Sequence, residues 1–347
     1  MRKFLYLLFC SYWILGCSQD PKLASVSQKT EANRMYDINQ YISAEAREIN
    51  QNNFVEKLNA KIKHYDSEPI YYFRTNKQNC LIEIYVNDVS LFDDYEISNY
   101  ITPTPLSSLF LKSGLQKVTV KMYPVGDLNN ESIGIKNAPP MTILTEKSQV
   151  SISVISIDEK SNKGLDNEKE ITKITSPKEA TGKDYYEFSF TFDADVPYEF
   201  EGWTKGQDLR KLNQDLVRKK ALEFYEMVGN IYVNKDIDAQ LKLDYPSNIR
   251  IKGSYYRDVE NLKETLTEYK NDIIIHDFTI EPIKNYRMEF MAGGKLLRLI
   301  TNTLDPDLRN GGALFLKYEN DGISVPPITL YLPEGRDLAT QGFMMWK

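Results

Sequence analysis

From about residue 66 the chain alternates apolar and polar side chains with a period of two, and that texture dominates its first half. Pro69–Phe73 and Cys80–Val86 are rich in Tyr, Ile and Val and flank the polar run 75–79, as two strands flank a hairpin loop. Val150, Ile152 and Val154 alternate with Ser151 and Ser153, and Tyr186, Phe188, Phe190 and Phe192 alternate with Glu187, Ser189 and Thr191. Strands patterned in this way bury one face and solvate the other. Asn87-Asp88 marks a turn, and the charged, aromatic-poor stretch from Asp158 to Asp184 reads as one long loop. A β-sandwich over 66–200 is the expected outcome.

Elsewhere the period changes to that of a helix. Met35, Ile38, Ile42, Ala46 and Ile49 step by three or four, and Val55, Leu58 and Ile62 resume after Asn52-Asn53, predicting amphipathic helices over 31–65. The domain that follows is the simplest cover for their stripe. Beyond Trp203, Thr204-Lys205-Gly206-Gln207 reads as a capping box, followed by Val217, Ala221, Phe224, Val228 and Ile231 at helical spacing. A short helix over 236–243 and another through Val259, Leu262, Leu266 and Tyr269 come next. Strands return over 286–291, 295–301, 313–318 and 323–332, with turns at Gly293-Gly294 and Asn320-Asp321-Gly322. Helices followed by an antiparallel meander predict an α+β domain over 201–347. The order Leu109–Gly114, then an alternating strand ending at Pro124, resembles a pattern of Ig-like and jelly-roll sandwiches in secreted proteins. The fold class is therefore mainly β with α+β: helices, an Ig-like or jelly-roll-like sandwich, then an α+β domain with an antiparallel sheet.

The first residues carry a different signal. Arg2-Lys3, the apolar run Phe4–Phe9 and the small Gly16 form a basic segment, an apolar segment and a cut site. The run is shorter than the roughly 20 residues that a bilayer span needs. Ile14-Leu15-Gly16-Cys17 resembles the lipobox of bacterial lipoproteins. The resemblance implies that residues 1–16 are removed, that Cys17 receives a diacylglyceryl group and an acylated amine, and that 17–30 form a lipidated tether. Two or three acyl chains anchor firmly, since each buried CH₂ adds about 0.8 kcal/mol. Ser18 rather than Asp after the cysteine favours the outer membrane under the rule of that family. The expected location is the bacterial cell envelope, with the lipid bilayer as a partner through Cys17.

Charge and composition narrow the chemistry. A net charge of −6, more acidic once Arg2 and Lys3 are removed, argues against a nucleic-acid partner, whose phosphates need a basic face. Of three cysteines, Cys10 leaves with the leader and Cys17 is the acyl site, so Cys80 has no intramolecular disulfide partner and reads as a small buried hydrophobe. Only two histidines, His64 and His276, are present, too few for the common zinc sites or a Ser-His-Asp arrangement. Asp305–Gly311 fails as a calcium loop, because Arg309 stands at its fifth position and Leu316 at its twelfth. No phosphate loop, dinucleotide fingerprint or HExxH occurs. No catalytic residue, metal or cofactor is expected.

Two features invite a functional reading. Asp193, Asp195, Glu199 and Glu201 crowd one loop with Tyr198, Phe200 and Trp203 close by in sequence, and a pair of carboxylates can hydrolyse a glycosidic bond; solvated charges on an interdomain turn are the plainer account. Trp203, Trp346 and Tyr198 are the candidate ligand contacts, since rigid aromatics are favoured at protein and sugar surfaces. The expectation is a non-enzymatic, membrane-anchored envelope lipoprotein that binds a protein partner, in one version an immunity-like neutraliser of a toxin. The alternatives are a surface glycan-binding lipoprotein and a glycoside hydrolase using the Asp193 to Glu201 carboxylates.

Overall fold

The computed structural model describes residues 36–347 apart from 100–101, 133, 137, 162–164 and 306–307. The expected leader, Cys17 and the tether lie outside the described residues. Among those described, the chain is α+β with a large antiparallel β content.

In chain order the first elements are α1 (Phe54–Asn59), β1 (Pro69–Gln78), β2 (Leu81–Val86), β3 (Val89–Asp94), β4 (Thr104–Pro105), β5 (Gly114–Tyr123), α2 (Leu128–Ser132), β6 (Gln149–Asp158), β7 (Lys169–Thr175) and β8 (Tyr186–Ala194). They form two four-stranded antiparallel sheets, ordered β4-β1-β6-β7 and β3-β2-β5-β8. Tyr71, Phe73, Val150, Ile152 and Val154 of the first sheet share one hydrophobic cluster with Ile82, Ile84, Val118, Val120, Met122 and Phe192 of the second. Phe192 is the aromatic hinge of that cluster, with ring centroids 6.4 Å from Phe73 and 5.8 Å from Phe110.

Three local expectations are corrected here. The run 75–79 is not a hairpin loop: β1 continues to Gln78 and pairs with β4 and β6, whereas β2 pairs with β3 and β5. Asn79, at φ 53, turns the chain from one sheet into the other. Nor is 158–184 a single loop, because β7 pairs with β6 there. Ile171, Thr172, Ile174 and Thr175 supply β-branched side chains, and the charges between them suit an edge strand that must resist further pairing. Over 31–65, the described part holds one turn of 3₁₀ helix at Glu45–Glu48 and the six-residue α1. Asparagine side chains end the helix: Asn53 Nδ2 donates to the Glu48 carbonyl at 2.8 Å, and Asn53 Oδ1 accepts from Asn50 N–H at 2.9 Å.

The remaining elements are α3 (Gln214–Val233), α4 (Ile237–Ser254), α5 (Val259–Ile274), β9 (Thr279–Ile280), β10 (Tyr286–Met291), β11 (Leu296–Thr301), β12 (Leu316–Tyr318), β13 (Gly322–Ser324), β14 (Leu330–Tyr331), α6 (Leu338–Gln341) and β15 (Met344–Met345). Two more antiparallel sheets result, β10-β11-β14-β15 and β13-β12-β9. Asn213, not Thr204, caps α3, its side chain accepting from Leu216 N–H at 2.9 Å. The helix expected over 236–243 runs on to Ser254 through Pro246. The stretch expected as one strand over 323–332 is two strands in different sheets, separated by Pro326-Pro327.

The amino-terminal apolar stripe packs against these helices, not against the sheets that follow it in sequence. Ile38, Ile42, Ile49, Phe54 and Leu58 share a cluster with Phe224, Tyr225, Leu241 and Leu262. Tyr41 meets Phe224 edge-on at 5.2 Å, and Tyr245 Oη donates to the Lys57 carbonyl at 3.1 Å. Chain segments far apart in sequence thus close one core.

Candidate functional site

Every residue of β2 is buried, although a strand turns alternate side chains to opposite faces. Ile82, Ile84 and Val86 enter the cluster shared by the two four-stranded sheets, which leaves Leu81, Glu83 and Tyr85 on the other face. A buried carboxylate is tolerated only with hydrogen-bonding partners. Those partners come from the far end of the chain.

Glu83 Oε1 accepts from Tyr95 Oη at 2.7 Å and from Asn310 Nδ2 at 3.0 Å. Its Oε2 lies 3.1 Å from Tyr85 Oη and 3.5 Å from Lys121 Nζ. Burial by itself raises the Glu83 carboxyl; the Tyr95 hydrogen bond, the Lys121 charge and the Tyr85 hydrogen bond outweigh it and hold the group below its ordinary range. Tyr85 Oη also lies 3.3 Å from Glu289 Oε1 on β10, so its one proton is shared between two carboxylates. Arg298 on β11 donates through Nε to Glu289 Oε2. Arg287 Nη2 donates to Asn310 Oδ1 at 2.6 Å and sets the orientation of that amide.

One part of this seam is incompletely paired. Asp93 stands opposite Glu83 in the β2–β3 register. Its Oδ1 and the Nη2 of Arg298 are both buried without a hydrogen-bond partner. Burial pushes the Asp93 carboxyl up to about 7; the charge of Arg298 opposes that rise, and Glu83 and Glu289 add to it. Nine polar side chains from five strands and two loops therefore interlock, and their chemistry is that of mutual charge compensation.

Where the seam reaches the surface it opens into a pocket of about 190 Å³ lined by Leu81, Tyr95, Pro124, Val125, Gly126, Leu128, Leu304 and Arg309. The Arg309 guanidinium lies 4.3 Å from the Tyr95 ring centroid and 5.6 Å from that of Tyr123. Tyr123 in turn packs on the exposed Tyr185 at 5.4 Å. Leu304 is 82% exposed at the rim. Aromatic rings, arginine and an exposed aliphatic side chain around a depression are the composition of a contact surface.

The residues singled out from sequence lie elsewhere. Trp203 and Trp346 are 8% and 6% exposed, and their rings meet edge-on at 4.9 Å. Arg250 covers Trp346 at 3.5 Å and donates to the Ser108 carbonyl at 2.8 Å and the Trp346 carbonyl at 2.9 Å. Tyr198 is buried and donates to the Ser107 carbonyl at 3.1 Å. All three are packed in the buried cluster shared with the two four-stranded sheets. Asp193, Asp195, Glu199 and Glu201 are exposed and alternate with buried Phe192, Ala194, Val196 and Tyr198 along extended chain. Lys112 pairs with Glu199 at 3.7 Å and Lys205 with Glu201 at 2.8 Å.

His64 Nδ1 contacts Glu68 at 3.0 Å, while His276 stacks on Tyr318 at 4.0 Å and contacts Glu319. Cys80 is buried, and burial pushes its thiol up to about 11. Among the described residues no group of three or more His, Cys, Asp or Glu side chains is placed to hold a metal ion. Likewise, no described helix is long and apolar enough to cross a membrane.

Sequence reasoning missed the seam and the pocket. One signal was available: Glu83 interrupts the otherwise apolar run Leu81-Ile82-Glu83-Ile84-Tyr85-Val86, a pattern that demands a partner for the carboxylate. The chain matches no protein-family model, no curated protein and no solved structure.

Proposed function

We propose that this chain is a membrane-anchored lipoprotein of the bacterial envelope, without catalytic activity, that binds a protein partner at the pocket beside β2. The observation that carries the docking site is the Arg309 guanidinium stacked on Tyr95, with Leu304 exposed at the same rim. Large aromatics and arginine dominate the energetics of protein contacts, and here they surround a depression that an incoming side chain can fill. Anchoring rests on Ile14-Leu15-Gly16-Cys17. The shared cluster of the two four-stranded sheets supports an Ig-like or jelly-roll-like sandwich over 66–200; the α+β domain over 201–347 follows it in the chain and lends Tyr256, Met291, Leu296 and Trp346 to the same cluster.

The glycan and hydrolase alternatives draw less support. Trp203 and Trp346 offer each other, rather than a sugar, their ring faces and edges. The Asp193 to Glu201 carboxylates are exposed along extended chain, and Glu199 and Glu201 have lysine partners.

Affinity capture from envelope extracts with the detergent-solubilised full chain tests the docking reading. One stoichiometric partner, retained by wild type and lost by both Leu304→Asp and Arg309→Glu, is the expected result. Retention of that partner by both variants overturns this docking face. Cys17→Ser tests the anchor separately: it should abolish lipid labelling and leave the leader uncleaved, and a processed, membrane-bound product from that variant removes the lipoprotein reading.

A further inference from the structure

Among the described residues, the charge in the pocket has no carboxylate counterpart. Arg309 is held by the faces of Tyr95 and Tyr123, and no carboxylate among the described residues forms an ion pair with its guanidinium. A ring contact of this kind fixes the plane of the guanidinium while leaving N–H donors at its edge for an incoming acceptor. Glu83, the buried carboxylate bonded to Tyr95, is already engaged by Tyr95, Asn310, Tyr85 and Lys121. It has no oxygen to spare for Arg309. The opposite walls, formed by Leu81, Val125 and Leu128 with Leu304 at the rim, are aliphatic.

We infer that this pocket receives an acidic side chain of a peptide segment of the partner, paired with Arg309, with an adjacent apolar side chain against Leu128 and Leu304. The inference rests on the partner-binding reading above and names its chemistry. An arginine meets a carboxylate through two parallel N–H···O bonds, a geometry that an amide of the same shape cannot match in charge. The rim continues from Tyr123 to the exposed Tyr185, which gives a segment extending beyond the pocket a ring to lie against. The acidic balance of the whole chain, −6, makes this positive spot the selective element: acidic segments are repelled elsewhere and admitted here.

The test uses fluorescein-labelled short peptides with a central Leu-Asp, Leu-Glu or Phe-Asp pair in Gly-Ser flanks, each matched by its Asn or Gln counterpart. Binding to the detergent-solubilised full chain is read by fluorescence polarisation. Acidic members should bind at least about tenfold more tightly than their amide partners, which is the scale of a charge-assisted pair. Arg309→Gln should erase that ratio, Arg309→Lys should keep part of it, and Leu304→Asp should weaken acidic members most. Thermal melts matching wild type confirm that each variant is folded. Equal affinities for acid and amide, an acid preference that survives Arg309→Gln, or no binding of any peptide overturns the inference. If Leu304→Asp still abolishes capture of the envelope partner while acid and amide peptides bind alike, the docking face stands and only its carboxylate chemistry falls.

Discussion

Asn310 Nδ2 donates to Glu83 Oε1 at 3.0 Å and so joins two positions 227 residues apart in the chain. Both side chains are buried, at 8% and 6% exposure, and the amide is itself oriented by Arg287. Removing the donor leaves a buried carboxylate short of one partner, which costs about 1–3 kcal/mol. Asn310→Ala should therefore lower the unfolding free energy by that amount in urea titrations. In a Glu83→Gln background the same substitution should cost less, because the two groups act on each other. A double-mutant cycle that closes additively would remove Asn310 from the seam.

Trp203 gives a sharper contrast between packing and recognition. Its ring is enclosed with Trp346 in the cluster beneath the sheets. Trp203→Ala should destabilise the protein by about 3–5 kcal/mol through the cavity it leaves. Calorimetry should show this as a clear drop in Tm. A variant with unchanged Tm would mean that the indole is free at the surface, as its place near a segment end first suggested.

Cys80 should behave as a structural thiol. It is 1% exposed, its Sγ is 3.6 Å from the Gln149 carbonyl, and burial pushes its pKa up to about 11. The thiolate is the reactive form, so native protein at pH 8 should leave Cys80 unmodified by iodoacetamide while urea-unfolded protein is fully alkylated. Peptide mapping of that cysteine reads both states. Rapid native labelling would contradict the packing of β2 against the β-sheet core.

Much of the local structure was legible because period-two and helical spacing report directly on burial. Tyr186–Phe192, the turns at Asn87-Asp88 and Asn320-Asp321, and the α3 and α5 stripes all fold as their patterns require. The failures share a cause: a local signal overruled by a distant partner or a competing side chain. Asn79 redirects β2 into a second sheet, a choice that depends on β5 some 30 residues later. Asn50 and Asn53 bond to the backbone and cut short a helix whose apolar spacing is sound. Charge concealed β7, because Lys and Glu between β-branched residues suit both an edge strand and a loop. The pocket was invisible for a related reason, since Arg309 and Leu304 gain meaning only when they are laid beside Leu81 and Tyr95, far earlier in the chain.

Asp93 supplies the pH dependence of this seam, and its sign is opposite to that of Glu83. Burial raises Asp93 from 3.8 to about 7, so between those limits the folded state holds a proton that the unfolded chain has lost. Stability from this group therefore falls as the pH rises through that window and levels off above about 7. Glu83 is held low instead, so its contribution is present above its unfolded value of 4.5 and is lost on acidification. Asp244, raised to about 6 by burial among Gln240 and Tyr269, follows the sign of Asp93 but belongs to the helical core. An Asp93→Asn variant removes one titration and keeps the other two, which cancel when it is compared with wild type. Urea unfolding of both proteins from pH 4 to pH 8 should show the variant gaining on wild type up to about pH 7, with a constant difference above it. A difference that stays flat across the whole range would show that Asp93 ionises in the folded state as it does in water, and that the seam is open to solvent at the Arg298 side.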